Sequence, residues 1–150
     1  MSALTTPIAI HPLSRQEVEA AVKSYWTIST SRQAEKQAAC YDDNAWIFTS
    51  SSRRLEPARL VLMRRHREYM MGSTRLQAEI GRIEVDLTGP NVAVAAYTMQ
   101  FDAQRKPVFG GGPAKAQEEH LKNARVTHVF VRDPDGVLKI VHEHISIPDA

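Results

Sequence analysis

His66 stands among Leu62, Met63, Tyr69 and Met70 at a spacing that puts its imidazole on the inner side of a helix. An imidazole facing a cavity can be poised to move a proton near neutral pH; facing a closed core, it is a satisfied buried histidine. Asp42 and Asp43 follow a short helical segment. A carboxylate there can abstract a proton or orient a histidine, and its bland role is to bond its own backbone in a turn. Further on, Ala95, Tyr97, Met99 and Phe101 alternate onto one face of a strand. Tyr97 could hydrogen-bond a substrate hydroxyl or stack on a ring, or carry its hydroxyl out to the surface. These residue types point to acid-base chemistry in an aromatic pocket.

The C-terminal segments offer two alternative sets of pocket residues. Thr127 and His128 point to opposite faces, as do Glu143 and the pair His142 and His144. With Arg125, Thr127 and Glu143 inward, the pocket holds a cation and a carboxylate; with His128, His142 and His144 inward, it is rich in imidazole. The run His142-Glu143-His144 lacks the helical spacing and the cysteine partners of a zinc site, so no metal is expected. Gly110-Gly111-Gly112 lacks the lysine-serine ending of a phosphate loop and reads as flexibility. No cofactor is expected.

The elements that must position these groups are legible in caps and periods. Ser14 and Glu17 form a capping box, and Val18, Ala21, Val22 and Tyr25 then recur at helical spacing, which buries Tyr25. A second helix is expected over Arg32 to Tyr41, ended by Asp42-Asp43-Asn44, followed by a short strand Trp46 to Thr49 and the polar run Ser50 to Arg54. Pro57 suits the start of a third helix and Gly72 its end. Alternating segments near 75–87, 92–103, 124–132 and 137–147 read as antiparallel strands. Gln104 to Asn123 between them reads as a mobile connection and candidate lid.

The 150 residues, 43% hydrophobic and 24% charged, suit one domain over 14–147 with an arm at 1–13 and a tail at 148–150. A net charge of +2 without a basic stripe argues against a nucleic-acid partner. Cys40 is the sole cysteine, so a disulfide framework is excluded and a reducing, cytoplasmic setting fits. No apolar run approaches the ~18 residues of a membrane span, so the chain reads as soluble.

Three passages carry a resemblance: Ala39-Cys40-Tyr41-Asp42-Asp43-Asn44-Ala45-Trp46-Ile47-Phe48, Val94 to Phe101, and Asp135 to Ser146. Their order resembles that of nuclear transport factor 2-like proteins of the SnoaL-like kind, distant relatives of ketosteroid isomerases and of the calcium/calmodulin-dependent kinase association domain. The resemblance implies a cone-shaped α+β fold, with three helices packed on a curved, mainly antiparallel sheet. Tyr25 matches the tyrosine that donates an oxyanion hydrogen bond in ketosteroid isomerases. Thr49 stands where those enzymes carry their general-base aspartate, and their second oxyanion acid falls near Thr127 or His128. The kinase association domain has an inward arginine near Thr127, which favours Arg125, Thr127 and Glu143 as the pocket set.

The resemblance leads to a cofactor-independent lyase, dehydratase or isomerase acting on an apolar, aromatic or cyclic small molecule. In that reading Tyr25 polarises an oxygen, His66 or Asp43 moves the proton, and Trp26, Trp46, Phe48, Thr49, Tyr97, Met99 and Phe101 shape the cavity with the inward residues of the last strands. The alternative is a binding or association module in which Arg53, Arg54 and Arg125 matter most. Either reading includes a homodimer or higher homo-oligomer, built on the outer sheet face.

Overall fold

The computed structural model describes residues 11–71, 73–105 and 117–148. Helix α1 spans Arg15–Thr30, and Ser14 caps it by accepting from the Glu17 amide. One face of α1 buries Val18, Val22, Tyr25, Trp26 and Ser29. Arg32, with φ 59°, turns the chain through the left-handed region, so α2 starts only at Ala34 and ends at Ala39, shorter than the expected Arg32 to Tyr41.

Strand β1, Tyr41–Phe48, absorbs the acidic residues that the sequence placed in a turn. The Asp42 carboxylate does accept from the Asn44 amide at 3.1 Å, as a turn aspartate would. The strand survives because its pairing with the last strand shifts register between Tyr41 and Trp46, leaving the acidic residues at the irregularity. A two-residue strand β2, Glu56–Pro57, follows, and then α3, Ala58–Arg65.

The third helix does not continue as an α-helix to Gly72. From His66 to Met70 it becomes a π-helix, closed by the Met71 amide on the His66 carbonyl at 3.0 Å. One inserted residue rotates the backbone beyond it by about 100°, so the α-helical period that carries Leu62 to His66 does not continue past His66.

Strands β3 (Ser73–Ile80), β4 (Glu84–Gly89), β5 (Val92–Arg105), β6 (Gln117–Arg132) and β7 (Leu138–Ser146) complete a seven-stranded sheet in the order β2-β1-β7-β6-β5-β3, with β4 also on β5. All pairings are antiparallel except β1 with β7. The expected segment 75–87 is thus two strands sharing one edge of β5. The break falls at Gly81, whose amide bonds the Thr98 carbonyl and where an added Cβ would lie 2.8 Å from Thr98 Oγ1. Only glycine fits so close an approach without a shift.

Both ends of the connection expected over Gln104 to Asn123 are strand. Gln104 pairs with Glu118 and Arg105 with Gln117, which extends the β5-β6 hairpin. The candidate lid therefore narrows to 106–116, outside the described residues. Helices pack on one face of this curved, mostly antiparallel sheet, with Val18, Val22 and Tyr25 of α1 in one core with Ala93, Ala95, Tyr97 and Met99 of β5.

Candidate active site

Strand parity on β6 and β7 is set by a register in which His128 lies directly opposite Glu143. Cross-strand partners point to the same face, and both side chains are fully buried. The inward set is therefore His128 with Glu143, combining one member of each set expected from the sequence. Thr127 points away with exposed Arg125, and His142 and His144 meet Phe48 on the outer face at ring-centroid distances of 6.1 and 5.6 Å. The sequence could not see this, because parity within a strand says nothing about register between strands.

Glu143 is the centre of a buried polar network. Its Oε1 accepts from Tyr41 Oη at 2.7 Å and lies 2.7 Å from His128 Nε2, while Oε2 accepts from Arg65 Nη2 at 2.7 Å. With the proton on Nε2 facing the carboxylate, His128 Nδ1 is free to accept from Tyr97 Oη at 3.2 Å. Tyr97 Oη in turn accepts from Trp26 Nε1 at 2.6 Å. On the other side Tyr25 Oη meets Tyr41 Oη at 2.6 Å and accepts from Gln37 Nε2 at 3.3 Å; Gln37 also donates to Ser29 Oγ at 3.0 Å. Arg65 Nη1 stands 3.4 Å from both phenol oxygens. Each proton thus has a consistent destination from the indole of Trp26 to the carboxylate.

Burial alone would push the Glu143 carboxyl up, but the Arg65 guanidinium and the hydrogen bonds from His128 and Tyr41 hold it well below the usual carboxylate range. Burial also opposes charge on Arg65, yet Glu143 holds its pKa well above the usual value. Burial, reinforced by the Glu143 charge, pushes Tyr25 up to about 12 and raises Tyr41 well above the usual phenol value. Burial likewise raises Tyr97. All three phenols are therefore proton donors at neutral pH.

A depressed folded-state pKa for Glu143 has a signed consequence. Its stabilisation is fully present above the ordinary glutamate pKa of about 4.3 and is lost as pH falls from there toward the lower folded value. Thermal melts at pH 7, 5, 4 and 3 should show Tm falling most steeply below about pH 4.3, and Glu143→Gln should flatten that part of the profile.

Beside this network lies a cavity of about 560 Å³. Tyr25, Trp26, Ser29, Gln37 and Arg65 give it a polar end; Val61, Leu76, Met99, Phe101, Leu121 and Ile145 give it apolar walls. Thr49, the serines Ser50 to Ser52, Glu56, Arg64, Glu68 and Ile147 complete the lining, with Arg64 donating to Glu56 at 2.7 Å.

Of the residues expected from the sequence, Tyr25, Trp26, Thr49, Met99 and Phe101 meet around this cavity. Tyr97 and Glu143 lie in the network behind it. Asp43 is exposed on β1, Trp46 is 45% exposed, and Phe48, Arg125 and Thr127 stand on the outer face or its strands, away from the lining. His66 is outside the lining too, with Nδ1 enclosed and unpartnered among the described residues. Sequence reading singled out neither Arg65, Tyr41, Gln37 nor Ser29. Arg65 lies in the locally basic run Arg64-Arg65-His66-Arg67, and Tyr41 and Gln37 in a segment read simply as helix. The signal for Arg65 was indirect: a carboxylate buried on the inner side of a strand between Ile140 and Ile145, as Glu143 is, calls for a cation beside it. Among the described residues no group of three His, Cys, Asp or Glu side chains comes together as metal ligands, and no helix is long and apolar enough to cross a membrane.

The family model of the SnoaL-like domain matches residues 18–150. A nuclear transport factor 2-like superfamily protein from Salmonella enterica superposes with a TM-score of 0.72 at 17% identity, covering 90% of this chain and 91% of that one. A candidate dehydratase of the same family from Streptomyces avermitilis gives 0.70 at 17% identity over 90% and 96%. A candidate calcium/calmodulin-dependent protein kinase II association domain from Xanthomonas campestris gives 0.69 at 18% identity over 99% and 98%. Identities this low speak to the fold and not to the reaction. No curated protein matches the chain significantly. With a helix-covered curved sheet, a cavity between its layers and the family match over residues 18–150, the chain has the nuclear transport factor 2-like fold and belongs to the SnoaL-like domain family.

Proposed function

We propose that the protein is a cofactor-independent lyase, dehydratase or isomerase that polarises an oxygen of an apolar, cyclic or aromatic small molecule. The observation that carries this reading is the juxtaposition of a protonated Tyr25 and the Arg65 guanidinium at the polar end of a 560 Å³ cavity with apolar walls. Tyr25 accepts from Gln37, stands against Arg65 and, because Tyr41 gives its own proton to Glu143, donates to Tyr41; a substrate oxygen would take that proton by replacing Tyr41 as its acceptor, while Gln37 and Arg65 stabilise the phenol oxygen. Met99, Phe101 and Val61 would hold the ring by burial and edge contacts. Proton removal from carbon falls to Glu68: Glu56 is engaged by Arg64, whereas Asp43 and His66 are outside the lining.

Crystals soaked with small aromatic ketones and alcohols should show the ligand oxygen within hydrogen-bond distance of Tyr25 Oη. Ligand seated only on the outer sheet face, with the cavity empty, would sink the proposal. That outcome would favour the association reading, which draws on the exposed Trp46 beside Phe48 and on the likeness to an association domain, and which makes the outer face a homodimer contact.

A further inference from the structure

The charges that line the cavity are already matched. Arg64 is 2.7 Å from Glu56, and Arg65 is 2.7 Å from Glu143, which sits behind the wall with no exposure. Among the described lining residues Glu68 then adds a negative charge to two compensated pairs. The Arg65 side chain is 18% exposed, enough to present N–H groups to a ligand, but its field is cancelled by a carboxylate held on its other side. An anionic ligand at Arg65 would put two carboxylates on one guanidinium in a poorly solvated place, whereas an uncharged oxygen would take the N–H, and the Tyr25 O–H turned from Tyr41, without that repulsion.

We propose that Glu143 makes this site selective for uncharged oxygen ligands, ketones, phenols or alcohols, against carboxylates of the same shape. The proposal rests on the reading that the cavity binds a small molecule at Tyr25 and Arg65, and it names the charge class of that molecule. Glu143 touches no ligand, so its role is to position and neutralise Arg65.

Acetophenone and benzoate, similar in shape and different in charge, are the probes, with dissociation constants measured by calorimetry or NMR titration at pH 7. The wild-type protein should bind acetophenone about 10-fold or more tightly than benzoate. Glu68→Gln, on an exposed side chain, should tighten benzoate relative to acetophenone by about 2- to 3-fold. Glu143→Gln, if circular dichroism shows it folded, should reverse the wild-type preference, a change that loss of packing alone would not produce; if it does not fold, the wild-type ratio and Glu68→Gln decide. Benzoate binding as tightly as acetophenone or more so in the wild-type protein would overturn the selectivity while leaving the cavity reading intact. Binding of neither probe would remove the cavity reading, and this inference with it.

Discussion

Glu143→Ala is expected to lower the unfolding free energy by about 3–5 kcal/mol, the largest stability change that any single substitution in the described site should give. The carboxylate is fully buried and receives Arg65, His128 and Tyr41 together. Alanine would leave a guanidinium and two polar groups without their acceptor in a region water reaches poorly, and it would open a void beside them. Glu143→Gln keeps the volume and one acceptor oxygen, so its loss should be clearly smaller. Urea unfolding at pH 7, followed by tryptophan fluorescence and circular dichroism, checks both variants. An alanine variant within about 0.5 kcal/mol of wild type would mean that the network contributes little to stability.

The second large effect concerns turnover. Once a substrate is in hand, Tyr25→Phe should reduce kcat by about 10²- to 10³-fold with KM little changed, the size seen when a single oxyanion donor is removed. The reason is geometric: Tyr25 is the phenol that both lines the cavity and contacts Arg65, whereas Tyr41 and Tyr97 are absent from the lining. The same variant should cost only about 1–3 kcal/mol of stability, because it leaves Gln37 Nε2 and Tyr41 Oη short of one partner each. Steady-state kinetics beside urea unfolding separates the two effects. Full turnover in Tyr25→Phe would take the oxygen-polarising role away from this residue.

Much of the architecture was legible because local rules and tertiary packing agree. Ser14 with Glu17 marked the start of α1, and the buried face through Val18, Val22 and Tyr25 follows the helical period. On β5 the alternation of Ala95, Tyr97 and Met99 marks the buried face. Two of the misreadings come from places where a long-range pairing overrode a local preference. The acidic turn at Asp42 became strand because β7 offered a parallel partner, and the charged residues around Gln104 and Glu118 paired with each other across a hairpin. The third helix lost its period at His66 through a single i→i+5 closure that composition does not announce.

The sequence by itself determined the order of the three helices and the long strands, the buried side of the first helix and the central strand, and the presence of Tyr25 on that buried side, since each depends on periods and caps within one segment. Only the tertiary structure decided that His128 and Glu143 share a face, that Arg65 rather than His66 reaches the cavity, and that Tyr41 joins Tyr25 to the carboxylate. The physical reason is common to all three. Each depends on register between segments far apart in the chain, where a shift of one residue exchanges the two faces of a strand or turns a helical side chain by about 100°. A buried carboxylate tolerates few such arrangements, because it must meet a cation and donors at once, and that requirement is visible only when the strands are already side by side.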